Sequence, residues 1–314
     1  MAREVLITGG AGFLGSNLAH YWAEKYPEDT ITIVDRGSTG ASVDNLAGLE
    51  EKIYFMQADV KDIDPQIEYD LVFLLHSETH VDRSFNTPLG FFDANTLSTV
   101  VFLERMRQKK SKARFIYMST DEVLNHEPPL ETPKETIFSR PGEDEEFFFP
   151  TNPYSASKAA TEMFVKAYRV CYGLDISIVR CTNMYGPRQW PEKLIPKAIT
   201  SFMNGEPIGV YGAGAQYRDY LYVEDACRAL DLISSKVTGV YHISANEERT
   251  NVQSIQEIQK QMGKGQINFI DDPRPFHDFA YSLSSQKLRG AGWKPQVTFE
   301  EGIAKTIDWF KSKC

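Results

Sequence analysis

Hydrophobic positions follow two rhythms along the chain. In EVLITGGAGFLGSNLAHYWAEKY, an unbroken apolar run stops at glycines and resumes at helical spacing. The run predicts a buried strand and the spacing an amphipathic helix. TITIVDR, KIYFMQADV, YDLVFLLHS and ARFIYMST predict more strands, and FFDANTLSTVVFLERMRQKK predicts a helix. NPYSASKAATEMFVKAYRVCYG predicts a long helix, with Pro153 near its start and Gly173 near its end. DISIVRCTN follows as a strand.

Strands alternating with helices imply a parallel sheet with right-handed crossovers. From about Met184 the pattern loosens, and YGPRQWPEKLIP is rich in Pro and Gly. LYVEDACRALDLISS and GVYHISA again look like a helix and a strand of the sheet. The expected fold is α/β, a Rossmann-type doubly wound parallel sheet with a smaller C-terminal α/β substrate domain. Residues 1–182 form the nucleotide-binding domain, with 219–247 returning to it; 183–218 and 248–314 form mainly the second domain. RPGEDEEFFFP, Arg140–Pro150, reads as a solvated loop with an apolar anchor, or as a substrate lid.

Length and charge narrow the choice. A chain of 314 residues accommodates one large domain and a smaller one. A net charge of −9 offers no basic surface for nucleic acid, so an anionic substrate needs a few local arginines. Cys171, Cys181, Cys227 and Cys314 lack metal-ligand spacing, so no metal site is expected and a reduced, cytoplasmic protein fits. No apolar run is long enough for a membrane span. The first strand begins at about Glu4, leaving no room for a leader.

TGGAGFLG places Gly9, Gly12 and Gly15 between the first strand and the first helix. They serve a tight turn, close approach to a pyrophosphate, and close helix–strand packing. The helix N-terminus favours phosphate. Asp35 ends the second strand, where a carboxylate accepts bonds from both hydroxyls of an adenosine ribose and repels a 2′-phosphate. NAD is therefore expected rather than NADP, although the neighbouring Arg36 could accommodate that phosphate. Tyr154 and Lys158 share one helix face at i,i+4. A nearby ammonium favours the phenolate, so Tyr154 is expected to have a lowered pKa and to take a hydroxyl proton.

STDEV, Ser119–Val123, ends a strand with two adjacent acids. Asp121 and Glu122 either cap a helix or divide acid and base work. TGxxGxxG, the Ser/Thr strand end and YxxxK together resemble the extended short-chain dehydrogenase/reductase family. SETHVDRS, STDEV, NPYSASKAA, PEKLIP, VYGAGAQYRDYLYVEDACRAL and GWKPQVTFEEGI resemble its dTDP-glucose 4,6-dehydratases. The resemblance runs from Val5 to about Trp309. It implies a lyase in which Tyr154, assisted by Lys158 and Thr120, supports C4 oxidation, Glu122 is the C5 base and Asp121 the acid for the 6-hydroxyl. It extends the NAD site to Phe13, Leu14, Asp59, Val60, Ser77 and Asn183. Lys193 and Leu194, with Asn183 and Thr120, would lie against the sugar. Arg218 would hold the diphosphate, Tyr211 would lie near the base, and Asn251, Arg274 and His277 would be further contacts. The resemblance also implies a homodimer through a four-helix bundle built from FFDANTLSTVVFLERMRQK and YSASKAATEMFVKAYRVCYG of each subunit.

The chain departs from the family pattern at His76, at Leu124-Asn125, at Met184 and at Phe279-Ala280. Thymine and uracil differ by one methyl, worth about 1 kcal/mol, so the nucleotide stays open. The same frame serves C4 epimerases and UDP-glucuronate decarboxylases, which usually lack the Asp-Glu pair. A non-catalytic NAD-sensing regulator is the remaining alternative.

Overall fold

The apolar runs become seven parallel strands whose alternate side chains feed two cores. The computed structural model describes residues 2–63, 67–124, 141–143, 148–275 and 278–313. In chain order the first half contains β1 (Glu4–Thr8), α1 (Phe13–Lys25), β2 (Thr30–Asp35), β3 (Ile53–Gln57) and β4 (Leu71–Leu74). Then come α2 (Val81–Asn86), α3 (Pro88–Phe91), α4 (Ser98–Gln108), β5 (Arg114–Met118), α5 (Pro153–Tyr172) and β6 (Asp175–Cys181). The rest comprises β7 (Asn183–Tyr185), α6 (Leu194–Asn204), β8 (Pro207–Tyr211), β9 (Tyr217–Tyr222), α7 (Val223–Ser234) and β10 (Val240–Ile243). It ends with β11 (Glu248–Thr250), α8 (Asn251–Met262), β12 (Gln266–Ile270), α9 (Gln286–Gly290) and α10 (Phe299–Lys311).

The main sheet has the order β10-β6-β5-β4-β1-β2-β3. Val5, Ile7, Ile33, Phe73 and Ile116 face the core shared with α1 and α7, while Leu6, Val34, Val72, Phe115 and Ile178 face the core under α4 and α5. This is the period-two pattern of a sheet covered on both faces. The chain reverses direction of progress across the sheet at β1, between β2 and β4. In such sheets ligands bind at the carboxyl ends beside that switch.

A second core gathers Tyr185, Ile199, Phe202, Val210, Ile255, Phe299 and Ile303. Around it lie the sheet β11-β9-β7 and the parallel pair β12-β8. The helix α7 and strand β10 belong with the main sheet, whereas β9, whose last four residues fall in 219–247, lies in the small one.

One helix differs from its expected regularity. The segment following α3, Phe92–Leu97, is π-helical before α4 begins. It turns adjacent Asn95 and Thr96 toward α5, where Asn95 Nδ2 donates to Ser157 Oγ at 2.9 Å and Thr96 Oγ1 to the Ser157 carbonyl at 2.9 Å. A π turn of this kind satisfies polar contacts that a regular 3.6-residue repeat would point away.

The long helix α5 follows its end signals. Asn152 caps it, Pro153 starts it, and Gly173 ends it at φ +71°. Its inward face carries Glu162, one turn beyond Lys158, in a fully buried pair with Arg180 of β6 at 2.9 Å. Removing one partner of a buried pair leaves an uncompensated charge. Glu162→Ala is expected to destabilise the protein by about 3–5 kcal/mol. Denaturant unfolding measures this, and Glu162→Gln, which keeps a hydrogen-bonding head, is expected to cost less.

Candidate active site

The glycine loop is built by close contact between backbones. A Cβ on Gly15 would sit 2.2 Å from the Gly9 carbonyl oxygen, and one on Gly9 would sit 2.7 Å from the His76 Cα. Gly9 also has φ +69°. Both positions therefore require glycine, and α1 starts directly over the loop. Asp35 at the end of β2 accepts the Ala11 N–H at 3.1 Å and the Gly37 N–H at 2.8 Å. Burial raises its pKa, and those N–H donors pull it back.

Gly9, Gly12, Phe13, Leu14, Gly15, Asp35, Arg36, Asp59, Val60, Ser77 and Asn183 line one cleft, together with Thr120, Asp121, Glu122, Tyr154, Lys158 and Lys193. An elongated dinucleotide fits this donor set: a helix N-terminus for phosphate, a carboxylate for ribose and a polar far end. Ser119 Oγ, Asp121 Oδ2 and Asn183 Oδ1 are buried without a hydrogen-bond partner among the described residues. Buried polar atoms lining a cleft are normally satisfied by what the cleft holds.

Arg36 is engaged by carboxylates. Its guanidinium donates to Asp59 at 3.2 Å and to Glu78 at 3.1 Å. Arg83 donates to the other Glu78 oxygen at 2.5 Å. Glu78 also lines the cleft and was absent from the sequence-derived set, although SETHVDRS contains it. These acids occupy the arginine that the sequence offered for a 2′-phosphate.

His76 bridges two threonines. Nδ1 is 2.8 Å from Thr8 Oγ1 and Nε2 is 3.1 Å from Thr99 Oγ1. Burial lowers its pKa to about 3, so the ring is neutral. The bulky departure from the family pattern is thus accommodated by hydroxyls from β1 and α4.

The end of β5 delivers the acids. Asp121–Leu124 form one 3-10 turn in which all four residues are buried. Asp121 Oδ1 accepts the Thr120 hydroxyl at 3.0 Å and the Glu122 N–H at 3.1 Å. Burial, then the Glu122 charge, push the Asp121 pKa up to about 8. Burial also raises the pKa of Glu122, but the Asn152 amide opposes this by donating to Oε2 at 3.1 Å. The two neighbours therefore differ: Asp121 holds its proton at neutral pH, and Glu122 has a donor that favours its anion.

Tyr154 and Lys158 reach the same cleft from α5. Lys158 Nζ donates to the Met118 carbonyl at 2.5 Å, and burial lowers its pKa to about 7. The expected lowering of the Tyr154 pKa is not found. Burial raises it strongly, and the Glu122 charge adds to the rise. A dry site penalises the phenolate more than the lysine compensates, since the lysine is itself driven toward neutrality.

Of the proposed substrate residues, Lys193 lies in the cleft, with Nζ donating to the Thr79 carbonyl at 2.7 Å. Leu194 follows it as the first residue of α6. Arg218 is buried, donating to the Tyr217 and Asp278 carbonyls, with its guanidinium carbon 4.3 Å from the Tyr281 ring centroid. Arg274 donates to Asp82 at 2.6 Å, 5.5 Å from the Tyr211 ring centroid. Asn251 accepts from Tyr220 at 3.3 Å. Tyr211, Arg218, Asn251 and Arg274 lie outside the lining of the main cleft. His277 and Asn125 lie outside the described residues, as do Arg140 and 144–147 of the possible lid. Phe148 of that segment packs beside Val123, Leu124 and Ala159, which fits an apolar anchor.

Among the described residues no group of side chains could hold a metal ion, and no helix is long and apolar enough to cross a membrane.

Known proteins share both sequence and shape with this chain. The family model described as GDP-mannose 4,6 dehydratase matches residues 6–306. The dTDP-glucose 4,6-dehydratase of Salmonella typhimurium is 35% identical, over 98% of this chain and 92% of its own. A trifunctional UDP-glucose 4,6-dehydratase, 3,5-epimerase and reductase of Arabidopsis thaliana is 36% identical, over 98% of this chain and 47% of its own. The structure of DesIV, a dTDP-glucose 4,6-dehydratase from Streptomyces venezuelae solved with NAD bound, superposes with a TM-score of 0.90 at 32% identity. It covers 98% of this chain and 97% of that one. With the glycine cradle, the Tyr-Lys helix and the buried Asp-Glu turn on one cleft, the chain belongs to the dTDP-glucose 4,6-dehydratase family within the extended short-chain dehydrogenases/reductases.

Proposed function

We propose that the protein is an NAD-dependent lyase that dehydrates an NDP-glucose, in the first instance dTDP-glucose, to the NDP-4-keto-6-deoxy sugar. The observation that carries this is the pair of buried carboxyl groups with different environments, facing the same cleft as Tyr154. An epimerase or a decarboxylase on this frame needs no second acid aimed at C6. An NAD-sensing regulator needs neither acid.

In this reading bound NAD, held by the glycine loop, Asp35, Tyr154 and Lys158, would supply a hydride acceptor for C4 and a hydride donor for C6, and its positive ring would offset the burial of the Tyr154 phenolate. Tyr154 takes the proton of the 4-hydroxyl, and Thr120 hydrogen-bonds that oxygen. Lys158, anchored on the Met118 carbonyl, fixes the height of the helix above β5. The resulting C4 ketone acidifies the C5–H. Glu122 removes that proton and Asp121 donates its own to the departing 6-hydroxyl, so water leaves. Glu122 then returns a proton to C5, so the sequence needs no net oxidant. Lys193, with Leu194 and Asn183, contacts the sugar. Arg218 and Arg274 supply cationic charge for the diphosphate, and Tyr211 lies near the base.

A homodimer is proposed through α4 and α5, which pack on each other through the Tyr168–Glu104 hydrogen bond at 3.1 Å. Their outward sides, and the turns leading into α4, expose Leu89, Phe92, Met163, Phe164 and Val170. Exposed large apolar side chains on two packed helices and the turns beside them suit an interface. UDP-glucose is the second candidate substrate, because relatives named for either nucleotide are equally similar to the chain.

Purified protein given dTDP-glucose or UDP-glucose is expected to form a 4-keto-6-deoxy sugar, seen as an alkaline absorbance band, without lasting NADH. Product-proportional NADH, or a C4 epimer, would sink the lyase reading. Asp121→Asn is expected to permit C4 oxidation and to slow water loss by about 10²–10⁴-fold, while Tyr154→Phe suppresses oxidation itself. Because Asp121 must be protonated to act, elimination is expected to fall as pH rises through about 8. The same raised pKa lowers wild-type stability as pH climbs from the ordinary carboxyl range toward about 8, so Asp121→Asn is expected to melt no lower than wild type at neutral pH. Light scattering at micromolar protein is expected to return the dimer mass, and a monomer mass would count against the bundle.

A further inference from the structure

One buried amide serves both halves of the site. Asn152 Oδ1 accepts the Ser155 N–H at 2.9 Å, and Ser155 Oγ accepts the Asn152 N–H at 3.2 Å, which closes the cap of α5. Its Nδ2 donates to Glu122 Oε2 at 3.1 Å. Among the described residues this is the one hydrogen bond to the Glu122 carboxylate. Chemistry settles the orientation of the amide, since the Ser155 N–H needs an acceptor and the carboxylate needs a donor. Residue 151 is tied down as well, with Thr151 Oγ1 lying 2.9 Å from both Asp278 oxygens.

A cap alone does not need asparagine. Ser, Thr and Asp offer the same acceptor. What asparagine adds is a donor on the second arm of a planar fork, and here that arm lies on the carboxylate read as the C5 base. We propose that Asn152 is a positioning residue that couples the two halves of the reaction: it caps the helix carrying Tyr154 and Lys158 while orienting Glu122 for C5 proton removal. The inference rests on the dehydratase reading above.

The sign of the electrostatic effect follows from the donor. Glu122 must be ionised to act as a base. Burial raises its pKa, and the Asn152 donor lowers it. Asp278 also raises it, while Arg218 and Lys193 lower it. Asp121 adjoins it, and Tyr154 and Tyr281 face it. These groups remain when only residue 152 is changed. Loss of the donor therefore moves the acidic limb of elimination to higher pH. Replacing the donor by a carboxylate moves it further.

The test uses Asn152→Ser and Asn152→Asp in the full-length enzyme with NAD and dTDP-glucose. Both variants keep the cap acceptor, and neither keeps the amide donor. Rapid-mixing absorbance reads hydride transfer at C4, solvent-deuterium incorporation reads C5 exchange, and both are followed against pH. C4 oxidation is expected within a few-fold of wild type. C5 exchange is expected to fall by about 10–100-fold, the loss of one hydrogen bond to a charged group. The acidic limb is expected to move upward, more in N152D than in N152S. A purely structural cap predicts equal losses in both steps and no ordered pH shift, and that result would overturn the inference. Should N152S fail to fold, N152D carries the same readouts with an equally good cap. Wild-type protein that forms no 4-keto-6-deoxy sugar would remove the dehydratase reading, and the inference with it. Wild-type dehydration beside variants with unchanged C5 exchange and pH limb would overturn the inference alone.

Discussion

The structure is organised around the desolvation of two adjacent carboxyl groups at the end of β5. In water, Asp121 and Glu122 would both ionise. In the 3-10 turn both are buried, and each charge opposes the other. A buried carboxylate is tolerated only when something compensates it. The fold compensates them unequally: Asp121 Oδ1 accepts the Thr120 hydroxyl and the Glu122 N–H, yet its pKa still rises to about 8. Asn152 donates to Glu122, and Arg218 and Lys193 add positive potential near it. Asp121 keeps its proton instead, with Oδ2 buried and without a hydrogen-bond partner among the described residues. Proton inventory, helix capping and strand geometry are thus one problem at this point in the chain.

Much of this was legible before any coordinates. Apolar runs predicted the seven strands of the main sheet, because burial on both faces leaves a strong pattern in the inner strands, while the edge strand β3 is apolar but largely exposed. Glycine spacing predicted the cradle, since a Cβ at position 9 or 15 would meet backbone atoms. The Tyr-Lys interval placed both side chains on the cleft, and Pro153 and Gly173 marked the limits of α5. These signals are local. Each depends on residues close in sequence whose geometry permits few alternatives.

What the sequence hid depends on distant partners. The pKa direction of Tyr154 could not follow from an i,i+4 interval, because burial is a property of the whole cleft. The role of Glu78 required Arg36 and Arg83 to converge on it from separate elements. The π turn at Phe92–Leu97 reflects polar partners on α5, which lies far along the chain. The strand β9 is unmarked in the sequence and its last two residues, Leu221 and Tyr222, open the segment read as a helix, because its three-stranded sheet is assembled from short, non-consecutive pieces. Short strands carry little periodicity, and tertiary pairing decides them.

A site that breaks local rules indicates what the fold is for. Two buried acids and a lysine driven toward neutrality each oppose stability at neutral pH, whereas the Tyr154 phenol, neutral at that pH both folded and unfolded, does not. The buried Arg180–Glu162 pair lies one turn from Lys158 and holds α5 against β6. The capping box at Asn152 holds the other end of the same helix segment. Rigid attachment at both sides matters because a displacement of about 1 Å is enough to cost a large factor in rate. The helix therefore carries Tyr154 and Lys158, the residues proposed for oxidation, at its N-terminal turns, with the capping box and the Arg180–Glu162 pair on either side of them. The acids proposed for elimination are tied to the same helix by the Asn152 amide and by the packing of Val123 and Leu124 against Ala159.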